Sequence, residues 1–193
     1  LATDVAYCRK TALSLSDGWL GRLADASAVE LASVITEYEQ LLDRLGRVQS
    51  HAQLLFAANT AEPEIAKHHQ SMREVSAEIH AQILFVELEL ARLDESHISA
   101  LLETPSLAYF EPWLRRVRAM APFQLAPEAE KMIAQRAPTG SAAWVRLFDE
   151  TTTSMRFRFQ TRDVTEAEIL DALSHPDAAI RAEAGQSLST TLK

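Results

Sequence analysis

The sequence predicts a mainly all-α fold: a long antiparallel helical hairpin followed by shorter helices, with one short β-hairpin near 155–164. Three observations carry this. Five Gly and seven Pro in 193 residues leave little material for turns. Apolar residues recur at helical spacing through two long stretches. Met155-Arg-Phe-Arg-Phe159 alternates apolar and basic residues strictly. Spacings of three and four put side chains on one helix face, whereas a period of two divides them between the faces of a strand.

Residues 1–15 read as a helix, and Ser14-Leu-Ser-Asp-Gly18 as a turn signal. Trp19, Leu20 and Leu23 follow as a short apolar patch. From Ser27 to Asn59, apolar residues fall at Leu31, Val34, Ile35, Tyr38, Leu41, Leu42, Leu45, Val48, Ala52, Leu55 and Phe56, and no Pro interrupts them. At about 1.5 Å per residue such a helix is roughly 45–50 Å long. Asn59 to Pro63 breaks the pattern, with Thr60 suited to cap the next helix and Pro63 to its first turn. Ile65, Met72, Ile79, Val86 and Leu93 then recur every seven residues, with Val75, Ile83 and Leu90 between them. The short break folds this second helix back on the first, a hairpin spanning 27–97 with coiled-coil-like packing.

Thr104-Pro105 opens a helix carrying Leu107, Phe110, Trp113, Leu114 and Val117, which Pro122 ends. Pro127 opens another with Met132 and Ile133, and Ser141 is suited to cap the helix of Trp144, Leu147 and Phe148. After the hairpin, Thr165 and Glu168 have the spacing of a capping box. Two helices follow, split near His175-Pro176. Ala178-Ala-Ile-Arg-Ala-Glu-Ala184 resembles one helix of a HEAT unit, but no fixed-period repeat accompanies it. The expected domains are 1–125, a helical lobe with the long hairpin, and 126–193, helices plus the β-hairpin.

Net charge is −8. An acidic surface repels phosphate backbones and anionic membranes, so neither nucleic acid nor membrane is expected as a partner. The run Arg115, Arg116, Arg118 reads as a solvated helix face with internal carboxylate partners. No stretch approaches the roughly 18 apolar residues of a membrane span. The single cysteine, Cys8, forms no disulfide within the chain, which suits a reducing cytoplasm.

Motifs for chemistry are absent. Zinc hydrolysis uses His-Glu-x-x-His, two ligands one helical turn apart with a Glu as base. His51, His68, His69, His80, His97 and His175 contain no such pair. Adjacent His68 and His69 point about 100° apart on a helix and do not share a metal. There is no Gly-x-Ser-x-Gly elbow and no glycine-rich phosphate loop. Cys8 reads as a passive small side chain, and Trp113, Trp144 and the Phe residues as core. Glu87 and Glu89 stand in the apolar string Phe85-Val-Glu-Leu-Glu-Leu90, with Glu89 at the border of the buried stripe. A carboxylate there needs a cation or several donors, and Arg44, Arg47 or an Arg of 115–118 is the expected source. Catalytic, cofactor-binding and metal-binding residues are therefore all read as none.

The order of these strings is what carries a resemblance. Phe85-Val-Glu-Leu-Glu-Leu90 is similar to the Phe-aromatic-x-x-Glu-Leu stretch of oligoendopeptidase F-type zinc metallopeptidases, the M3 oligopeptidases. Leu107-Ala-Tyr-Phe-Glu-Pro-Trp-Leu-Arg-Arg116, Pro122-Phe-Gln-Leu-Ala-Pro-Glu-Ala-Glu130, Ala143-Trp-Val-Arg-Leu-Phe-Asp-Glu150 and Ala179-Ile-Arg-Ala-Glu-Ala184 resemble the segments that follow in that family, in the same order. Phe123 stands where the family often has His, and Ala126 where it often has a capping Ser. The resemblance implies the N-terminal portion of a cytoplasmic zinc endopeptidase that cuts short peptides in a channel between helical lobes. It implies zinc in the full-length enzyme and none in this chain, because the family's metal motif lies C-terminal to the matched region. The expected partners are the catalytic domain and short peptide substrates, and an apolar strip left for that domain also offers a route to dimerisation. Both ends of the chain read as cut, and this portion is expected to be inactive alone. The alternative is a non-enzymatic, HEAT-like scaffold or protein-binding domain.

Overall fold

Ser27 starts the longest element. Its side chain accepts from the Glu30 amide while the Glu30 carboxylate accepts from the Ser27 amide, a complete capping box. In the computed structural model, which describes residues 1–60 and 62–192, the helix that begins there, α2, runs Ala28–Ala58. The preceding helix, α1, is Ala2–Trp19. The returning arm is α3, Pro63–Ile83, followed after Leu84 by α4, Phe85–Ala91. Leu84 keeps right-handed helical backbone angles, so the two form a nearly continuous rod.

Side-chain pairs fix the antiparallel packing of the two arms. Phe56 of α2 stacks on His69 of α3 at 4.8 Å, and Tyr38 of α2 bonds Glu87 of α4. Equal steps back along α2 and forward along the returning arm join these pairs, as antiparallel helices require. Helix α1 completes the bundle: its Cys8 thiol donates to the Leu41 carbonyl, its Asp4 pairs with Arg44, and Arg9 pairs with Glu78 of α3. Fully buried Leu15, Leu31, Leu41, Leu45, Ile79, Ile83 and Leu90 fill the centre. All of these but Leu15 lie on the stripes read from the sequence.

The turn expected at Ser14–Gly18 is displaced. Helix α1 continues to Trp19 because Leu15 is buried on its inner face, and the chain reverses at Gly21, whose φ of 76° suits glycine. Thr60 is not the cap of α3; Glu62 holds that position, and Pro63 starts the helix as expected. The returning arm ends at Ala91. There the Arg118 guanidinium donates to the carbonyls of Leu90 and Leu93 and pairs with Glu95, which satisfies a helix end from outside.

Short helices follow: α5, Glu95–Leu102; α6, Pro105–Ala108; α7, Glu111–Ala119; and α8, Pro127–Arg136. The single helix expected over 105–121 is two, because Pro112 has no amide for the Ala108 carbonyl and its ring would clash with it. Ala126 stands at the cap of α8 with no side-chain bond, and Glu130 instead accepts from the Leu125 amide.

The chain divides into two compact units, Leu1–Pro138 and Thr139–Lys193. The second holds α9, Ser141–Ser154; strands β1, Phe157–Phe159, and β2, Arg162–Val164; α10, Glu166–Ala172; and α11, Ala178–Thr191. Ser141 is the first helical residue rather than the cap, which is Gly140. The strands pair antiparallel with Phe157 opposite Val164, and alternation holds: Phe157 and Phe159 are buried, Arg158 exposed. The Thr165–Glu168 capping box forms. Phe157, Phe159, Val164, Ile169 and Ala184 make a separate small core. Among the described residues no helix is long and apolar enough to cross a membrane.

Candidate functional site

The string Phe85–Leu90 places two carboxylates on a helix whose apolar residues are buried. Glu87 accepts from the Tyr38 hydroxyl at 3.0 Å. Burial, reinforced by the Glu87 charge, pushes the Tyr38 pKa well up, so Tyr38 stays a donor. Glu89 accepts from the amides of Gly21 at 2.7 Å and Leu23 at 3.3 Å. Its partners are therefore backbone donors of the turn after α1, not the arginines expected from the sequence. The turn Leu23–Asp25 exposes free amides at its start, and a carboxylate satisfies two at once. Gly21, at the reversal, is the sequence signal for this arrangement.

The arginines act elsewhere. Arg115 bonds Glu111 one turn back at 2.8 Å and Arg118 bonds Glu95, so two of the three arginines have the expected carboxylate partners, but Arg118 is largely buried and not on a solvated face.

Tyr38 also walls a groove of about 360 Å³ between α2 and α6–α7, lined by Ile35, Tyr38, Glu39, Leu42, Tyr109, Phe110, Pro112 and Trp113. Tyr38 and Trp113 lie 6.0 Å apart, and Tyr109 meets Phe110 edge to face at 5.1 Å. Tyr109 is 79% exposed. It falls off the stripe of Leu107, Phe110, Leu114 and Val117, and that offset is the signal by which its exposure was legible.

The other candidates are dispersed. Cys8 is buried, and burial pushes its thiol pKa up, so it stays protonated and unreactive. His69 stacks on Phe56, and desolvation, with Arg73 and His68 beside it, holds its pKa down. His175 accepts from the Asp177 amide. Among the described residues no three of His, Cys, Asp and Glu gather as metal ligands. No step of hydrolysis is assigned to these residues.

Trp113 is half-buried against the bundle, but Trp144 and Phe148 depart from the core role expected of them. On α9, Trp144 is 72% and Phe148 66% exposed, with Val145 and Leu147 also exposed. In the first unit Phe123, Met132 and Ile133 are exposed as well. Helical spacing records that a helix has an apolar face; it does not record whether this chain supplies what covers it.

Residues 89–157 match the family model described as Oligopeptidase F. No curated protein matches the sequence. The crystal structure of oligoendopeptidase-F from Enterococcus faecium superposes with a TM-score of 0.84 at 13% identity, covering 98% of this chain and 37% of that one. A Chlamydophila abortus protein named as a candidate peptidase gives a TM-score of 0.54 at 17% identity, covering 98% of this chain and 35% of that one. This chain thus spans little more than a third of either. At such identities the likeness is one of fold. Fold and pattern nevertheless meet on the same residues, because the segment that carries the Oligopeptidase F pattern lies within a chain folded like part of oligoendopeptidase-F.

Proposed function

We propose that this chain is the N-terminal helical lobe of a zinc-dependent oligoendopeptidase that hydrolyses peptide bonds of short peptides in the cytoplasm, and that it forms part of the substrate channel wall. In this reading residues 1–125 are the lobe proper, and 126–193 lead towards a catalytic domain that supplies the zinc and the general base. The chain alone is then inactive. The observation that carries the reading is the fold shared over 98% of this chain with 37% of oligoendopeptidase-F. The exposed stripe Trp144, Leu147 and Phe148 supports it, because a contiguous apolar helix face marks a surface that another part of a protein covers.

The test is cleavage of a quenched fluorescent peptide by the native gene product, with and without a chelator, beside the 193-residue chain. Chelator-sensitive cleavage by the native product alone is expected. A native product that cut no peptide under any metal condition would overturn the reading and leave a helical scaffold in its place.

A further inference from the structure

The groove between α2 and α6–α7 is walled by aromatic rings held in place from behind. The Tyr38 hydroxyl is fixed by Glu87, so its ring cannot swing out. Trp113 packs against that ring from α7, and Phe110 supports Tyr109 edge to face. The walls are therefore preorganised, which lowers the ordering cost of binding. The rim carries one charged side chain, the Glu39 carboxylate. Glu39 forms no ion pair among the described residues. Its neighbours one turn away on α2 are Ile35, Thr36, Leu42 and Asp43, none of them cationic.

We infer that this groove docks a peptide by one aromatic or branched aliphatic side chain, with an adjacent Lys or Arg side chain against Glu39. The apolar floor takes the anchor, as apolar pockets with a few placed polar groups do. The net charge of −8 favours the approach of a cationic ligand and disfavours an acidic one. The choice of a peptide as ligand rests on the peptidase reading. The binding measurement needs no catalysis, so docking and cleavage fail separately.

The experiment is an NMR titration of the full 193-residue chain, following the Trp113 indole N–H. The ligands are acetyl-Ala-Phe-Arg-Ala-amide, its Phe-Glu counterpart and its Ala-Arg counterpart. The Phe-Arg peptide is expected to saturate the Trp113 shift, with an affinity about threefold to fivefold above Phe-Glu at low salt, as for an exposed ion pair. The Ala-Arg peptide is expected to bind roughly tenfold more weakly for want of the buried ring. Glu39→Lys lies on an exposed position and is expected to invert the Phe-Arg over Phe-Glu preference, which a merely structural change does not do. Tyr109→Ala, also exposed, is expected to weaken both Phe peptides while leaving the circular dichroism unchanged. Equal binding of Phe-Arg and Phe-Glu peptides, or a preference that Glu39→Lys leaves intact, overturns the inference. So does a dimer in sedimentation equilibrium that Tyr109→Ala dissociates, because a second copy then fills the groove.

Discussion

Glu87 and Glu89 leave α4 in different directions and meet different partners. Glu87 accepts a hydrogen bond from a hydroxyl of α2, and Glu89 accepts two from amides of the turn after α1. The second contact holds a chain reversal in place, since the Gly21 and Leu23 amides have no helical carbonyl to reach. Glu89→Ala strands both donors and removes a charged acceptor. The expected loss is about 1.5–3 kcal/mol, the range for hydrogen bonds to a charged group, read as a lower urea midpoint at neutral pH. Glu89→Gln keeps an acceptor and should fall between the two. An unchanged midpoint in Glu89→Ala would show that water serves the turn equally well.

The capping boxes link residue chemistry to pH. The Glu168 pKa is lowered by the Thr165 amide and hydroxyl and by Arg162, and that of Glu30 by the Ser27 hydroxyl and amide. Each carboxyl is more acidic folded than unfolded. Its contribution is thus complete above the ordinary value of 4.5 and is lost as pH falls through the lower folded value. Thr165→Ala should cost about 1 kcal/mol at pH 7, the usual loss for an N-cap hydroxyl. The difference from the parent should shrink on acidification below pH 4.5. Thermal melts followed by circular dichroism at pH 7 and at low pH check both parts, and a pH-independent difference contradicts the assignment.

At the scale of elements, legibility followed how local each signal was. The α2 stripe, the Pro127 start, both halves of the Thr165–Glu168 box and the alternation at Phe157–Phe159 are local patterns, and each forms as read. The continuation of α1 through Ser14–Gly18 was hidden because the burial of Leu15 by distant residues outweighs a polar turn signal. The break before α7 was legible in Pro112 but masked by an apolar spacing that runs on across it. The Glu89 site was hidden for the same reason as α1: its partners come from a turn 66 residues or more away in sequence. The two cores follow the local patterns and are separate. Leu41→Ala empties a fully buried position of the first and should cost about 2–5 kcal/mol; Phe157→Ala in the second should cost about 3–5 kcal/mol. Hydrogen exchange is expected to show lost protection in α1–α4 for the first variant and in the β-hairpin, α10 and α11 for the second. Equal loss across the chain in both variants would mean that the units unfold as one.

For the whole molecule, the long hairpin has a part that its own core does not require. The last buried residue on the outgoing arm is Ala52, and the first on the returning arm is Ser76. Between them lie contacts such as the Phe56–His69 stack, in which the two arms meet each other. Deleting the whole hairpin would remove most of the core that α1 shares, and any loss of activity would then report misfolding. Replacing residues 53–74 by a short turn is the cleaner change. It keeps every buried position of the bundle, including Ile79, and leaves Val75 against the core. The shortened chain should retain its helical circular dichroism per residue and a cooperative melt. If the lobe walls a channel and its hairpin fences out folded proteins, the same change in the native gene product should raise cleavage of a folded protein relative to a short peptide. Steric exclusion acts on access and not on bond breaking, so short-peptide turnover should hold. An unchanged ratio, with short-peptide turnover preserved, would remove the tip from any part in selecting substrates by size. A fall in short-peptide turnover with the ratio constant would point instead to a role for the tip in holding the enzyme's active conformation.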